Sequence, residues 1–294
     1  MRKATMEIRS LHPLFAAEAL GVDLSHPLDD DAFGALRRAF EAHSVLVIRG
    51  QDITPAQQVA FSRLGELEIH VLKQFLHPEA PEILLVSNET RDGKPIGLGD
   101  AGHYWHSDLS YLAEPSLGSA LYARVLPRDG GDTLFASMHA AYDRLDPTLR
   151  ARIHHLEAVH DYAYRGDIQA DAGTRPRLTP EQRARVPPVV HPVVRLHDGT
   201  GRPALFVNEG FTPRILGVPE EEGRTLLGAL FKASLDPSVL YRHRWRVGDL
   251  VLWDNRAVTH LATGCPADQA RTLHRTTIKG TRPIGPRANA LAAA

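Results

Sequence analysis

Residues 250–260 read LVLWDNRAVTH, and this stretch shows the pattern on which the chain is built. Four apolar residues (250–253) run into the turn sequence Asp254-Asn255-Arg256 and then to His260. Apolar runs of four to seven residues bounded by turns have the length of strands rather than helices. Similar runs occur at residues 44–48 (SVLVI), 83–87 (ILLVS), 119–125 (SALYARV) and 205–208 (LFVN). The sequence therefore predicts many short strands.

Helix signals lie between these strands. Thr54-Pro55-Ala56-Gln57 is a capping box with proline at the first helical position, and Gly65 is expected to close that helix. Further helices are predicted from Asp146-Pro147 to about Leu156, from Thr179-Pro180-Glu181-Gln182, and over residues 220–232 with an apolar face. The regular strand–helix alternation of a parallel sheet is missing. We therefore expect a mainly β fold with flanking helices (α+β), a barrel or jelly roll with helical cover.

Composition excludes several classes of protein. The 294 residues include 34 Lys and Arg against 35 Asp and Glu, a net charge of −1, whereas nucleic-acid binders normally carry a basic excess. No apolar stretch approaches the ~18 residues of a membrane span. One cysteine and no signal peptide lead us to expect a cytoplasmic protein. We expect a single domain over residues 1–283 and a flexible tail at 284–294.

The 16 histidines direct attention to metal chemistry. His106-Ser107-Asp108 is an H-x-D pair, and on a strand its two side chains would share a face. By itself such a pair is often only a surface histidine beside an aspartate. His260 is the best candidate for a third ligand, and two histidines with one carboxylate form the facial triad of non-haem Fe(II) oxygenases. A structural zinc site would prefer thiolates, and a zinc hydrolase motif (H-E-x-x-H) is absent from the sequence.

Two further patterns have competing interpretations. Residues 97–102 (GLGDAG) match the dinucleotide fingerprint G-x-G-x-x-G, but no helix start follows them, which favours a glycine-rich loop beside a site. Arg271 and Arg275, four apart on a predicted strand, share a face and suit two anionic groups. The alternative for this pair is a solvated basic face, and that alternative is favoured for Arg242-His243-Arg244-Trp245-Arg246.

Six separated motifs, in order along the chain, resemble the taurine dioxygenase (TauD/TfdA) family of Fe(II)- and 2-oxoglutarate-dependent oxygenases. They are residues 105–108 (WHSD), 130–134 (GGDTL), 191–195 (HPVVR), 205–211 (LFVNEGF), 253–256 (WDNR) and the pair Arg271 and Arg275. The resemblance covers roughly residues 10–283. It implies a double-stranded β-helix, which is a cupin-like jelly-roll barrel, and the use of Fe(II), 2-oxoglutarate and O₂. It also implies a small anionic substrate and a homodimer or homotetramer.

The resemblance also implies roles for particular residues. His106, Asp108 and His260 would hold Fe(II), and the far carboxylate of 2-oxoglutarate would meet Thr133 and Arg271. Arg275 would bind the anionic head of the substrate, and the other substrate-binding residues would be His70, Lys73 and Phe211.

The substrate positions depart from the taurine enzymes. Lys73 stands in place of a tyrosine, Gly102 in place of an asparagine, and Gly166 in place of a phenylalanine. These changes predict more space and an added cation, and the loop at residues 91–102 is a candidate lid. We expect an organosulfonate larger or more charged than taurine, hydroxylated with release of sulfite. The alternatives are an alkyl sulfate ester, an aryloxyalkanoate or another carboxylate, and, in another class, a non-catalytic cupin-like metal-binding protein.

Overall fold

The structure, a computed structural model, describes residues 6–99, 102–171 and 177–286. The helices are α1 (Asp30–His43), α2 (Pro55–Ser62), α3 (Met138–Asp143), α4 (Pro147–Ile153), α5 (Tyr162–Asp171), α6 (Pro180–Arg185) and α7 (Glu220–Ser234), with 3₁₀ turns η1 (Lys73–Phe75) and η2 (Pro237–Val239). The strands are β1 (Glu7–Ser10), β2 (Ala17–Leu20), β3 (Val45–Ile48), β4 (Leu76–His77), β5 (Ala80–Ser87), β6 (Thr90–Arg91), β7 (Lys94–Pro95), β8 (Gly118–Val125), β9 (Thr133–Ser137), β10 (Glu157–His160), β11 (Val189–Pro192), β12 (Val194–Leu196), β13 (Pro203–Leu205), β14 (Arg214–Ile215), β15 (Leu240–His243), β16 (Leu250–Asp254), β17 (Val258–Ala262) and β18 (Thr272–Ile278).

Two sheets form the centre of the molecule, and their strands are antiparallel except for the parallel pair β2 and β3. The larger sheet has the order β1-β2-β3-β16-β8-β18-β5-β4, and a three-stranded sheet has the order β15-β9-β17. Alternate side chains of the central strands point to opposite faces, so each strand contributes to two cores. The inner core, between the two sheets, contains Val45, Val47, Leu121, Val251, Trp253, Phe135 and Val258. Because these strands are covered on both faces, they read as continuous apolar runs in the sequence.

Helices cover the outer faces of the sheets. The outer core joins Leu46, Ile48, Leu250 and Leu252 to Leu36, Ala39 and Phe40 of α1. A further core lies under α7, where Leu226, Leu227 and Leu230 contact residues of α3, β12 and β13. Sheets with helices packed outside them confirm the predicted α+β class. None of the helices within the described ranges is both long and apolar enough to span a bilayer.

Most of the predicted elements are confirmed, with corrections at their ends. The capping box at Thr54 is present, but α2 ends at Ser62 rather than Gly65. The helix after Asp146 ends at Ile153, and the strand predicted at residues 205–208 ends at Leu205. The helices α1, α3 and α5 were not predicted from the sequence. Short polar helices such as α5 carry a weak periodic signal, which is why they are difficult to detect. The expected tail lies largely outside the described residues.

Buried histidines are expected to make this fold sensitive to acid. Burial lowers the pKa of His139 and His191 to about 4 and that of His160 to about 3. The unfolded chain takes up protons below its histidine pKa of about 6.5, whereas the folded chain does not until the pH reaches the lowered values. For each of these histidines, the free energy of unfolding should therefore fall by roughly 1.4 kcal/mol per pH unit as the pH falls from about 6 towards 4. Urea unfolding of the metal-free protein between pH 8 and 5 measures this slope.

The control for this prediction is the exposed His155. His155→Ala should leave the dependence of stability on pH unchanged. His160→Gln should reduce the number of protons taken up on unfolding by about one, and the slope should fall in proportion. A urea midpoint that stays constant from pH 8 to 5 would show that these rings are not protected from protonation.

Candidate active site

Three buried side chains from two distant segments of the sequence converge between the two sheets. His260 lies on β17, and its backbone exchanges two hydrogen bonds with His106, at 3.1 and 2.8 Å. Asp108 follows in a turn, next to Leu109 with φ +57°. One ligating atom from each of the three residues lies within 4.8 Å of the others. The H-x-D pair was expected on a strand. Instead, a single β-bridge followed by a turn brings both side chains to the same point.

The orientation of the rings suits a cation. His106 Nδ1 lies 2.9 Å from the carbonyl oxygen of Tyr104 and donates to it, which leaves the Nε2 lone pair facing Asp108 Oδ1 at 3.6 Å. His260 Nε2 faces the same oxygen at 3.9 Å. Burial, reinforced by His106, lowers the pKa of His260 to about 3, so this imidazole is neutral. Three acceptor atoms that face one another need a metal ion between them, and the donor set fits Fe(II).

The carboxylate of Asp108 is held by a second set of contacts. Ser119 Oγ donates to Asp108 Oδ2 at 2.7 Å, and the backbone N–H of Asp108 donates to Asn255 Oδ1 at 3.2 Å. Trp253 Nε1 donates to the same Asn255 oxygen at 3.0 Å. Burial alone would raise the pKa of Asp108, but the charge of Arg275 opposes it, and that pKa lies well below its usual range. The carboxylate is therefore ionised and fixed in direction, as a metal ligand must be.

Arg271 and Thr133 lie close to one backbone turn. Arg271 Nε and Nη2 donate to the carbonyl oxygen of Gly131 at 3.2 and 3.1 Å, and Thr133 is two residues further along. Arg271 forms no ion pair with a carboxylate of the described residues, and burial lowers the pKa of its guanidinium. A cavity of about 190 Å³ opens beside it, lined by Asn88, His103, Ala262, Gly264 and Cys265. A desolvated guanidinium at a cavity without its own counter-ion is suited to an anionic ligand.

Arg275 and His70 provide a second set of donors, nearer the metal triad. Arg275 Nη1 donates to Asp108 Oδ1 at 3.3 Å, and its buried Nε has no partner among the described residues. His70 Nδ1 accepts the backbone N–H of Leu72 at 3.1 Å. Burial, followed by the charge of Arg275, lowers the pKa of His70 to about 4, so the ring is neutral and its hydrogen is on Nε2. His70 can thus donate to an anion without carrying a charge.

Four aromatic residues form a surface leading away from the triad, here called the aromatic wall: Tyr104, Tyr111, Tyr162 and Phe211. Centroid distances are 6.3 Å for His106 to Phe211, 4.8 Å for Phe211 to Tyr111 and 4.7 Å for Tyr111 to Tyr162. Tyr104 lies 5.1 Å from the ring of His106. The sequence analysis identified only Phe211 in this wall. Tyr111 lies only three residues after Asp108, and this closeness to a predicted metal ligand was the signal that could have identified it.

The family described as "Taurine catabolism dioxygenase TauD, TfdA family" matches residues 7–277. The chain belongs to this family. The match spans the metal triad, both arginines and most of the strands described above, so the resemblance inferred from the six motifs is confirmed.

The relatives of this TauD/TfdA family member are similar along their whole length. The alpha-ketoglutarate-dependent 2,4-dichlorophenoxyacetate dioxygenase of Cupriavidus pinatubonensis is 37% identical over 91% of this chain and 95% of its own. The (S)-phenoxypropionate/alpha-ketoglutarate-dioxygenase of Sphingobium herbicidovorans is 33% identical over 93% and 95%. A crystal structure of AAD-2 in complex with Mn(II) and N-oxalylglycine superposes with a TM-score of 0.81 at 32% identity, covering 95% of this chain and 99% of that one.

These findings establish the reaction class. The TauD/TfdA family member is an oxidoreductase, a dioxygenase dependent on Fe(II), 2-oxoglutarate and O₂, and it acts on a small molecule. The alternative of a non-catalytic cupin-like metal-binding protein is therefore wrong. The relatives act on several kinds of substrate, so the class alone does not select one.

The positions that depart from the taurine enzymes differ in the space around them. A Cβ at Gly166 would meet no atom within 4 Å, in agreement with the expected space. The expectation was wrong at Gly102, where a Cβ would lie 2.8 Å from His106 Cε1. Lys73 is exposed on η1. The loop at 91–102 begins as a hairpin (β6–β7), and the backbone of Leu98 bonds it to β5. Asp100 and Ala101 lie outside the described residues. The lid therefore stays a prediction.

Gly102→Ala should therefore impair the metal site. Gly102 has φ +74°, and the added Cβ would push the His106 imidazole out of place. Gly50→Ala is the matched control, because Gly50 has φ +65° but a Cβ there meets nothing within 4 Å. Both variants should lose about 1 kcal/mol of stability from backbone strain. Only Gly102→Ala should also weaken Fe(II) affinity, by roughly 10-fold or more. Equal Fe(II) affinities in a metal titration of the two variants would contradict the geometry.

Proposed function

We propose that this TauD/TfdA family member hydroxylates an aromatic organic acid at the carbon next to the acid group, and that aryloxyalkanoates are its substrate class. The observation that carries the proposal is the aromatic wall next to Arg275 and His70. An aromatic surface and the two anion donors Arg275 and His70 lie beside the metal triad together, as a substrate with a ring at one end and an acid at the other requires. The relatives named for 2,4-dichlorophenoxyacetate and phenoxypropionate support this class.

The residues that would bind iron and cosubstrate follow from the same geometry. His106, Asp108 and His260 would hold Fe(II), and Thr133 and Arg271 would bind the far carboxylate of 2-oxoglutarate. The bound iron couples the oxidative decarboxylation of 2-oxoglutarate by O₂ to the hydroxylation of a C–H bond. The scaffold would be a double-stranded β-helix, with the eight-stranded and three-stranded sheets as the two faces of the jelly roll.

The protein's own residues position the substrate. Arg275 would pair with the acid group, and His70 Nε2–H would donate a second hydrogen bond to it. Burial raises the pKa of Tyr111, so its hydroxyl stays protonated beside Phe211. Anchoring the acid at one end and the ring at the other fixes the intervening carbon at the metal, and such positioning is what the protein contributes to this chemistry. The exposed Lys73 would contribute only at the rim.

The expected products follow from the position of the hydroxyl group. One atom of O₂ enters succinate as 2-oxoglutarate loses CO₂, and the other enters the substrate. Hydroxylation of the carbon between an ether oxygen and a carboxylate gives a hemiacetal. The hemiacetal C–O bond then breaks, which gives a phenol and a 2-oxo acid.

The organosulfonate, which was the first expectation from the sequence, is the second candidate. A sulfonate matches the guanidinium of Arg275 as well as a carboxylate does, and the open space at Gly166 would admit a larger one than taurine. Hydroxylation next to the sulfur would release sulfite.

A substrate panel with the Fe(II)-loaded enzyme tests the proposal. Succinate, phenol and sulfite are measured with phenoxyacetate, propoxyacetate, 2-phenylethanesulfonate and taurine. Because phenoxyacetate and propoxyacetate differ in the ring, the aromatic wall should favour phenoxyacetate by about 10-fold or more in kcat/KM. Equal rates for these two would remove the role of the wall. Faster succinate and sulfite formation from a sulfonate than from phenoxyacetate would favour the second candidate.

A further inference from the structure

The hydroxyl group of Thr133 is held by an indole from outside the candidate active site. Trp245 Nε1 donates to Thr133 Oγ1 at 3.0 Å, and Thr133 is buried at the start of β9. In the sequence, Trp245 belongs to a run of basic residues for which a solvated face was expected. In the structure its ring is half-buried and reaches inward from a surface cavity lined by Arg49, Arg242, Arg244 and Arg246.

The strand register sets the position of this indole. β15 pairs with β9 so that His243 lies opposite Thr133, and Trp245 follows two residues later. The His243 ring is buried and meets the indole edge-on, with centroids 4.5 Å apart and an interplanar angle of 87°. Since its orientation is fixed by this contact, the indole N–H is directed at the threonine oxygen.

The direction of this hydrogen bond has a chemical consequence. An indole N–H can only donate, so Thr133 Oγ1 must accept, and its own proton remains free to point elsewhere. The described residues offer that proton no acceptor. A hydroxyl that accepts one hydrogen bond donates a stronger one, because the bonds polarise each other.

We propose that Trp245 is a positioning residue for 2-oxoglutarate: it fixes the Thr133 hydroxyl so that its proton is presented to the far carboxylate of the cosubstrate. This inference rests on the proposed placement of 2-oxoglutarate at Thr133 and Arg271. Without the indole N–H, the hydroxyl could rotate and the carboxylate would lose an oriented donor.

The test is a double-mutant cycle on the Fe(II)-loaded enzyme, with 2-oxoglutarate titrated by calorimetry without O₂. Trp245→Phe keeps a ring and removes the N–H, and we expect it to raise the Kd of 2-oxoglutarate roughly 5- to 30-fold. Turnover at saturating 2-oxoglutarate should change less than about 2-fold, because the metal triad is untouched. Arg244→Met, in the same surface cavity, is the control and should leave the Kd unchanged.

The double variant separates positioning from packing. If Trp245 acts through Thr133, then the double variant Trp245→Phe with Thr133→Val should have the same Kd as Thr133→Val alone. Additive effects, or an unchanged Kd in Trp245→Phe alone, would overturn the role of Trp245. An unchanged Kd in Thr133→Val would instead show that 2-oxoglutarate does not bind at Thr133, and both this inference and that part of the proposed function would fail.

Discussion

His260→Ala is expected to abolish 2-oxoglutarate turnover. The variant removes one of three converging ligand atoms, and Asp108 and His106 alone would leave the metal two protein ligands. Loss of a residue that only hydrogen-bonds a metal ligand lowers metal affinity or activity about 10–100-fold. Loss of a ligand itself should therefore lower activity on the order of a thousandfold or more. The metal-free variant should remain folded, because it loses a buried imidazole whose Nδ1 has no partner among the described residues.

Two measurements check this result. Succinate formation gives the activity, and thermal unfolding with and without Fe(II) gives the stabilisation by metal, which should vanish in the variant. His155→Ala, which changes an exposed histidine, should retain both the activity and the metal-dependent shift. A His260→Ala protein that still forms succinate at the parent rate would show that the triad is not the metal site.

Arg275→Met is expected to produce the second largest effect, which should fall chiefly on the organic substrate. The guanidinium is nearly enclosed, with its side chain 13% exposed, so an anion bound there is largely desolvated. Loss of one partner from such a charged pair costs about 2–5 kcal/mol, which corresponds to roughly 30- to 5000-fold in kcat/KM for the acid substrate. The Kd for 2-oxoglutarate should change far less, because Arg271 and Thr133 remain.

The comparison of the two arginines makes this prediction specific. Arg271→Met should show the reverse pattern, with weaker 2-oxoglutarate binding and little direct effect on the substrate. Arg244→Met, on the exposed rim of the other cavity, should alter neither. If Arg275→Met and Arg271→Met lowered 2-oxoglutarate affinity equally, the assignment of the two guanidiniums to separate anions would be wrong.

The sheet register explains why the site tolerates little change around His106. The backbone of His106 is bonded to that of His260, and β17 is in turn paired with β9, so the two imidazoles are fixed by main-chain hydrogen bonds. The His260 ring also stacks on Phe135, with centroids 6.0 Å apart. Small shifts in this frame move both ligands together, which is why an added methyl group at Gly102 should have a measurable effect.

The sequence by itself determined the features that depend on local order. The apolar runs predicted β3, β5, β8 and β16, because strands covered on both faces are apolar at most positions. The capping box predicted the start of α2, since its hydrogen bonds join residues three apart. The His106–Asp108 pair and the six motifs predicted the metal triad and the family.

Only the tertiary structure decided which distant side chains meet and which way their polar atoms point. The neutral tautomer of His70 depends on burial and on the N–H of Leu72, and the wall around Phe211 depends on Tyr111 and Tyr162 arriving from separate segments. The hydrogen bond from Trp245 to Thr133 spans 112 positions of sequence. Burial and hydrogen-bond direction are set by neighbours brought together by folding, and neither has a signature in the order of residues along the chain.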